Sequence, residues 1–244
     1  MRIVFLGTSH GYPEPNRKCS SAMIEIGESC YIIDMGCDAI NELINRGIKP
    51  DSVKGIFITH MHGDHTNGLV SYLELACWMY KTADPEIFIP GSCEDVRACL
   101  NTWFKLNGSP IRDFRFNEVK EGIIFDDGVL KVTAFRTKHY AISYAYLIEA
   151  EGKYILFSGD LSKNPSDDFP HSALELPLEL AVLEAAHFSA KEYINILNGK
   201  GSVKRVCFNH YSIKCAEDIE DIGYTIKALE QPVVLATDNL EFNF

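Results

Sequence analysis

The amino-acid sequence predicts an α/β protein, a single domain over residues 1–244 in which mixed β-sheets are covered by helices. Apolar, β-branched runs typical of strands alternate with helical patterns along the whole chain. A chain of 244 residues is also long enough to bury a sizeable hydrophobic core. No repeat, low-complexity tract or break in composition indicates a linker. These observations favour one domain over several.

The strand and helix predictions rest on hydrophobic periodicity. The predicted strands are Ile3–Leu6, Ala22–Ile26, Tyr31–Ile33, Gly55–Ile58, Glu86–Ile89, Leu130–Phe135, Tyr144–Ile148, Tyr154–Phe157, Leu180–Leu183, Val203–Phe208 and Val233–Ala236. Apolar residues at helical spacing predict helices around residues 39–44, 69–80, 96–104 and 219–229. Each apolar stripe is expected to face the core, because a helix on a globular protein must bury one side. Asp127-Gly128 and Glu151-Gly152 predict hairpin turns.

Composition and charge disfavour broad nucleic-acid binding, membrane insertion and secretion. The net charge of −11 disfavours a broad electrostatic hold on nucleic acid, which usually needs a basic face. No apolar run approaches the roughly 18 residues of a membrane span, and Ile3–Leu6 is shorter than the roughly 7–15-residue apolar core of a signal peptide. The 8 cysteines form no CxxC pair. We therefore expect a cytoplasmic protein with reduced thiols and no membrane association.

A histidine-rich motif follows the predicted strand Gly55–Ile58 and precedes a helical pattern. Residues 59–65 read THMHGDH, which is the pattern HxHxDH. Two histidines at i and i+2 in extended backbone project to one side, so the first pair can share one ion. The glycine permits a sharp turn, after which the last two residues can face a second ion. The predicted ligands are His60, His62, Asp64 and His65.

Further candidate ligands follow later predicted strands, at the points where those strands emerge into loops. They are His139, Asp160 and His210. Open α/β sheets build their sites at strand ends, so these side chains are placed to complete two metal shells. With HxHxDH present, the sequence predicts a metal site with two ions.

The ordered set HxHxDH, His, Asp, His resembles that of the metallo-β-lactamase superfamily over nearly the whole chain. The segments FLGTSHG and IIDMG, and a histidine followed by the strand YAYLIE, resemble the branch that holds ribonuclease Z and phosphonate-pathway cyclic phosphodiesterases. The resemblance implies a four-layer αββα sandwich of two mixed β-sheets flanked by helices, with a two-metal cleft along one sheet edge. It implies that His60, His62 and His139 bind metal one, that Asp64, His65 and His210 bind metal two, and that Asp160 bridges both.

The implied cofactors are two divalent ions. Zinc is the default for nitrogen and oxygen ligands, and imidazole with carboxylate also suits Mn, Fe or Ni. Two ions about 3.5–4 Å apart lower the pKa of a bridging water to near 7, which makes a hydroxide nucleophile at neutral pH. Asp64 is assigned to catalysis as well as to metal binding. Asp34, in IIDMG, matches the family aspartate that holds a metal-loop histidine, and an ordinary turn is the alternative role for this residue.

Other residues are assigned to proton transfer and substrate binding. Ribonuclease Z carries a His-Glu pair after its bridging aspartate, and the segment LEAAHF here holds Glu184 and His187 with altered order and spacing. His187 is predicted as general acid to the leaving group, since an imidazole pKa near 6.5 suits that role. Glu184 either orients it or simply ends a strand. His10 and Arg17 are predicted to contact an anionic substrate, although the Gly and Pro content of their loop also fits an ordinary turn.

The function that these features predict is hydrolysis of a small or short phosphodiester, either cyclic nucleotide-like or an RNA end. The stretch between His139 and Asp160 is too short for the basic arm with which ribonuclease Z grips tRNA, so folded tRNA is disfavoured. A thioester or lactone hydrolase is the alternative, although TKHYA replaces the TPGHTPG-like stretch of those enzymes. A di-iron redox or O₂-binding protein is an alternative of another class, but 244 residues leave no room for its usual flavin domain. The sequence leaves open the natural substrate, the native metal and whether a homodimer forms.

Overall fold

The computed structural model describes residues 1–12 and 14–244, which form two compact units, each with its own mixed β-sheet. The first unit comprises Met1–Gly7, Lys18–Val119 and Asn239–Phe244, and the second comprises Thr8–Arg17 and Lys120–Asp238. The single domain over residues 1–244 stays a prediction. No helix within the described residues combines the length and the apolar character needed to cross a bilayer.

Strands and helices alternate along the chain, as the hydrophobic pattern predicts. The strands are β1 (Arg2–Gly7), β2 (Ser21–Ile26), β3 (Ser29–Ile33), β4 (Val53–Phe57), β5 (Glu86–Ile89), β6 (Arg115–Glu118), β7 (Gly122–Asp126), β8 (Lys131–Thr137), β9 (Ser143–Ala150), β10 (Lys153–Phe157), β11 (Leu178–Ala185), β12 (Val206–Tyr211), β13 (Val233–Leu235) and β14 (Glu241–Asn243). The helices are α1 (Ala39–Asn45), α2 (Gly63–Trp78), α3 (Cys93–Asn107), α4 (Glu192–Leu197) and α5 (Ala216–Ala228). Short 3₁₀ turns span Pro50–Ser52, Pro165–Asp167 and His171–Glu175.

The sheet of the first unit has the strand order β14-β1-β2-β3-β4-β5-β6. The strands β3 to β6 are parallel neighbours, so their carboxyl ends lie at one edge. The loops that follow β3 and β4 therefore start side by side, and the backbone N–H of Asp34 donates to the carbonyl of Phe57 at 2.9 Å. The core that joins this sheet to its helices includes Ile32, Ile56, Leu43, Leu73 and Phe104.

The sheet of the second unit has the order β13-β12-β11-β10-β9-β8-β7. Because β9 is antiparallel to both β8 and β10, those two strands run in the same direction. The strands β10, β11 and β12 are parallel to one another. The carboxyl ends of β8, β10, β11 and β12 therefore meet at one edge of the sheet, where binding sites of such sheets form. The core beneath this sheet includes Leu156, Leu183, Phe208, Tyr193 and Ile222.

The structure differs from the predicted elements mainly at sheet edges and strand ends. The strands β6, β7 and β14 carry few buried residues, which is typical of edge strands and leaves a weak apolar pattern. The predicted strand 203–208 lies instead at Val206–Tyr211, so that His210 is inside β12 rather than after it. Glu151 and Gly152 have φ of 51° and 71°, the paired positive values of a two-residue hairpin turn between β9 and β10. That turn prediction is confirmed.

Candidate metal centre

The loop after β4 brings His60 and His62 together in the first unit. His60 is fully buried, and its Nε2 lies 2.9 Å from Nδ1 of His62. The two rings are nearly perpendicular, with centroids 4.6 Å apart. Two imidazole nitrogens at this separation suit a shared metal ion, because each offers one lone pair in its neutral form.

His65 lies in the first turn of α2, where a buried carboxylate fixes its tautomer. Asp34 Oδ2 is 2.7 Å from His65 Nδ1, and the Asp34 carboxylate also accepts from the backbone N–H of Thr59 at 2.7 Å and from its hydroxyl at 2.8 Å. Since an ionised carboxylate only accepts, Nδ1 of His65 carries the proton. Nε2 therefore keeps its lone pair for a metal, and it lies 3.4 Å from Asp64 Oδ2.

A close backbone approach holds the IIDMG segment against the start of α2. A Cβ added at Gly36 would lie only 1.7 Å from the carbonyl oxygen of Asp64, so no larger residue fits there without a shift. The N–H of Met35 donates to the carbonyl of His65 at 2.8 Å. Asp34 itself has a φ of 57°, in the left-handed region that non-glycine residues seldom adopt. These constraints aim the Asp34 carboxylate at His65.

Asp160 is the centre of a second group of side chains, in the second unit. Its Oδ2 lies 3.3 Å from His210 Nε2, 3.7 Å from His139 Nε2 and 3.8 Å from His187 Nδ1. His139 follows β8, Asp160 follows β10 and His187 follows β11, so the shared strand direction gathers them at one edge. His210 reaches the same edge from within β12, with a φ of 50°. One carboxylate oxygen near three imidazoles suits an oxygen ligand of a divalent metal ion.

Glu184 and His187 form a hydrogen-bonded pair beside this group. Glu184 is 2% exposed, and its Oε2 lies 2.8 Å from His187 Nδ1. The carboxylate also accepts from the backbone N–H groups of Leu161 at 2.7 Å, Ala186 at 3.1 Å and His187 at 3.2 Å. The Glu184 carboxylate is therefore fixed by backbone donors and in turn fixes the imidazole, whose side chain is 32% exposed.

His10 lies next to His210 on the loop that opens the second unit. The two rings are perpendicular, with centroids 6.4 Å apart. Burial lowers the pKa of His10 below its usual range, against the opposing effect of Glu14, whose Oε1 is 3.5 Å from His10 Nε2. Burial therefore disfavours the charged form of the His10 imidazole, which lies beside a predicted metal ligand.

Arg17 is bound within its own loop and to the strand β12. Its guanidinium donates to the carbonyls of Thr8 at 2.6 Å and Tyr211 at 2.8 Å, forms an ion pair with Glu14 and lies 4.1 Å from the centroid of the Tyr211 ring. These bonds give Arg17 a structural role that the sequence pattern did not indicate. Its predicted contact with an anionic substrate stays a prediction.

The donor sets fit divalent metal binding. His139, Asp160 and His187 each offer a ligand atom, and these atoms lie within 4.8 Å of one another. The first unit supplies imidazole and carboxylate donors, and the hydrogen bond to Asp34 fixes the tautomer of His65. Nitrogen and oxygen donors of this kind suit zinc and other first-row metals. Thr59, which links Asp34 to the histidine loop, is a residue that the sequence analysis missed.

The chain is similar to known proteins in sequence. The family model of the anti-Pycsar protein Apyc1 matches residues 1–176. Ribonuclease BN of Salmonella gallinarum is 32% identical over 159 residues, which are 63% of this chain and 51% of that protein. The chain thus spans about half the length of the curated relatives it matches.

Solved structures share the fold of the whole chain. Human tRNase Z, short form (ELAC1), aligns with a TM-score of 0.75 at 21% identity, covering 100% of this chain and 99% of that chain. The metallo-β-lactamase fold protein YhfI from Bacillus subtilis aligns with a TM-score of 0.76 at 16% identity, covering 99% and 98%. The predicted metallo-β-lactamase fold, with two mixed sheets and flanking helices, is confirmed. The resemblance to the ribonuclease Z-like branch is confirmed as well.

Proposed function

This chain belongs to the family of the anti-Pycsar protein Apyc1, and we propose that it is a metal-dependent hydrolase of phosphodiester bonds. The observation that carries the proposal is the group around Asp160, in which one carboxylate oxygen lies within 3.8 Å of three imidazoles. The Glu184–His187 pair stands beside that group and can move a proton. The curated relatives are named ribonuclease BN, which favours phosphodiesters over other esters.

We assign two divalent ions to the combined ligand set. The proposed metal ligands are those that the sequence predicts, namely His60, His62, Asp64, His65, His139, Asp160 and His210. Zinc is the first choice, with Mn, Fe and Ni as the other metals that imidazole and carboxylate suit. When bound, two such ions acidify a water to near neutral pKa and neutralise charge that develops on phosphoryl oxygens. Asp34 keeps Nε2 of His65 available for the metal, because it holds the proton of the other ring nitrogen.

His187 is proposed as the general acid that protonates the leaving oxygen. Its Nδ1 donates to the Glu184 carboxylate, so Nε2 is the atom that holds and delivers the proton. The His187 side chain is 32% exposed, so it can exchange protons with solvent between turnovers. Because His187 also lies within the group formed with His139 and Asp160, metal binding is its alternative role. A leaving-group test separates the two roles.

The substrate is proposed to be a small anionic phosphodiester, either cyclic nucleotide-like or an RNA end. The stretch between His139 and Asp160 is filled by the β9–β10 hairpin, so no basic arm for folded tRNA lies there. The net charge of −11 also disfavours a large nucleic acid. His10 and Arg17 are the proposed substrate contacts. Because Thr8, Glu14 and Tyr211 engage most donors of Arg17, His10 is proposed to make the direct contact.

Cellular location and assembly are proposed from thiol chemistry and from the sequence. Cys30, Cys77, Cys93 and Cys207 are buried thiols, and burial raises the pKa of Cys207 to about 12. Thiols of this kind are typical of a reducing compartment, which supports a cytoplasmic location. Association with a membrane is not part of the proposal. A homodimer stays open.

Metal analysis followed by a substrate panel tests the proposal. The panel contains bis-p-nitrophenyl phosphate, 2′,3′-cyclic nucleotides, a thioester, a lactone and nitrocefin, each with the protein in its purified metal state and after chelation. We expect phosphodiester hydrolysis that chelation abolishes and added metal restores. Asp160→Ala should be inactive, whereas His171→Ala, which changes an exposed histidine on a 3₁₀ turn, should retain activity. Hydrolysis of the thioester or lactone with no phosphodiester cleaved would replace the proposed substrate class. If the purified protein contains iron and reduces O₂, the di-iron redox protein would replace the hydrolase as the proposed function.

A further inference from the structure

Asp168 joins the two loops that carry His139 and Asp160. Its Oδ2 accepts from the backbone N–H of Lys138 at 2.7 Å and from that of Ser162 at 3.0 Å. Its Oδ1 accepts from the hydroxyl of Ser162 at 2.9 Å. Lys138 directly precedes His139, and Ser162 follows Asp160 by two positions. We propose that Asp168 is a positioning residue, which holds the His139 loop and the Asp160 loop at the spacing that metal binding requires.

The position of Asp168 is itself fixed by the fold. It follows the 3₁₀ turn Pro165–Asp167, and the next residue, Phe169, closes that turn by donating to the carbonyl of Pro165 at 2.8 Å. The Phe169 ring is buried in the core of the second unit, 6.3 Å from the ring of Tyr193. Asp168 is 7% exposed, and a buried carboxylate is costly unless donors surround it. Its three charge-assisted hydrogen bonds meet that requirement.

A second contact ties the end of β8, two positions before His139, to the Asp160 loop. The hydroxyl of Thr137 donates to the carbonyl of Asp160 at 3.1 Å, and Thr137 lies 2.7 Å from the hydroxyl of Ser143. His139 Nε2 itself lies 3.7 Å from Asp160 Oδ2. The loops are therefore held in place by the protein before a metal binds, which reduces the ordering cost of binding.

Removal of the Asp168 carboxylate leaves the backbone N–H groups of Lys138 and Ser162 without their acceptor, whereas the Ser162 hydroxyl can still donate to the carbonyl of Asn164 at 3.0 Å. Both N–H groups belong to loops that bear a proposed ligand, so the loops gain freedom to move apart. Asp168 acts through the backbone of these loops rather than by contact with a metal or substrate. The inference rests on the proposed metal centre and adds a residue that the ligand motif does not contain.

A cobalt titration of the full chain tests the inference. Co²⁺ binding to the metal-free protein is followed by calorimetry and by visible absorption for wild type, Asp168→Ala, Asp168→Asn and Asp167→Ala. We expect Asp168→Ala to weaken Co²⁺ affinity about 10–100-fold, as loss of a residue that orients ligands does, and to change the ligand-field bands. Asp168→Asn keeps an amide oxygen for the two N–H groups and should stay within a few-fold of wild type. Asp167 is an exposed neighbour on the same turn and serves as the matched control.

The melting temperature of each metal-free variant separates positioning from stability. Wild-type affinity and spectrum in Asp168→Ala would overturn the inference. The inference would also be overturned if Asp168→Ala did not fold. It would be overturned as well if both Asp168 variants lost equal Co²⁺ affinity in proportion to their fall in melting temperature, because Asp168 would then act on stability alone. If wild type itself binds no Co²⁺, the proposed metal centre fails, and this inference fails with it. If wild type binds Co²⁺ but the Asp168 variants do not show the expected loss of affinity, this inference fails and the proposed function is unaffected.

Discussion

Asp34 and His65 are 31 positions apart in the sequence, yet Asp34 Oδ2 lies 2.7 Å from His65 Nδ1. The contact decides the tautomer of the histidine, because the carboxylate accepts a hydrogen bond from the protonated Nδ1 and so leaves the lone pair on Nε2. Asp34 is in turn held by two hydrogen bonds from Thr59. We therefore expect Asp34, which is not among the proposed ligands, to influence the metal affinity of the proposed centre.

Asp34→Asn is predicted to weaken metal affinity about 10–100-fold while the fold survives. The amide can still accept from Thr59 but no longer orders the imidazole proton as a carboxylate does. Isothermal titration with Zn²⁺ measures the effect, and circular dichroism checks the fold. Asp38→Asn, at the N-cap of α1 a few residues away, is the matched control and should bind normally. Unchanged affinity in Asp34→Asn would return Asp34 to a purely structural role.

The metal content of the purified chain should reach two ions. His62→Ala and Asp160→Ala are each expected to reduce both metal content and phosphodiesterase activity, because each removes a proposed ligand. Inductively coupled plasma mass spectrometry on the purified variants measures the content. His171→Ala controls for the general loss of a histidine. If the wild-type chain binds no metal at high affinity, the proposal of a metal-dependent hydrolase is wrong.

Replacement of His187 should have an effect that depends on the leaving group. If His187 protonates the leaving oxygen, His187→Ala should lower kcat about 10²–10⁴-fold for alkyl leaving groups. The effect should be far smaller for p-nitrophenolate, which departs without a proton. Steady-state kinetics on both classes, with the metal content of each preparation measured, provides the contrast. Equal slowing of both classes, with loss of metal, would assign His187 to metal binding instead.

Glu14 should make the stability of the second unit depend on pH in the acid range. Burial by itself raises the pKa of Glu14, but donors from Ile213 at 2.8 Å and Ser212 at 3.0 Å, with the Arg17 guanidinium, bring it below its usual value of 4.5. A lowered folded-state pKa means that the carboxylate contributes stability above pH 4.5, and that this contribution is lost as pH falls through the folded-state pKa.

The variant Glu14→Gln tests this linkage. Its melting temperature should lie below that of wild type at pH 7, and the two values should converge as the pH falls below 4.5. Differential scanning calorimetry at about five pH values, from roughly pH 3 to roughly pH 7, follows the convergence of the two melting temperatures. Glu217→Gln, at an exposed position of α5, is the matched control for loss of one carboxylate. A melting difference that is the same at every pH would refute the linkage.

Gly36→Ala should be strongly destabilising. The added Cβ would meet the carbonyl oxygen of Asp64 at 1.7 Å, so the IIDMG segment and the start of α2 must separate. Overpacking of this kind costs about 1–3 kcal/mol or more, and metal affinity should fall with it because Asp64 is a proposed ligand. Chemical denaturation measures the free energy of unfolding. Gly223→Ala, with open space around the added Cβ within α5, should instead be neutral or stabilising by about 0.5–1 kcal/mol.

The sequence by itself determined the fold class, most of the strands and the identity of the proposed ligands. Strands and helices leave periodic patterns over a few consecutive residues, and HxHxDH at residues 59–65 is equally local. The sequence did not predict edge strands such as β7, because few of their side chains are buried and their apolar pattern is weak. The sequence also selected Glu184 and His187, which the structure places 2.8 Å apart.

Only the tertiary structure decided which residues hold the ligands in place. Asp168 accepts from a backbone group 30 positions away, and Thr59 donates to a carboxylate 25 positions away. The Arg17 guanidinium reaches a carbonyl 194 positions along the chain. A hydrogen bond from a side chain to a distant backbone group depends on where two loops meet. It leaves no periodic trace in either segment, because the backbone donor or acceptor is the same for nearly every amino acid.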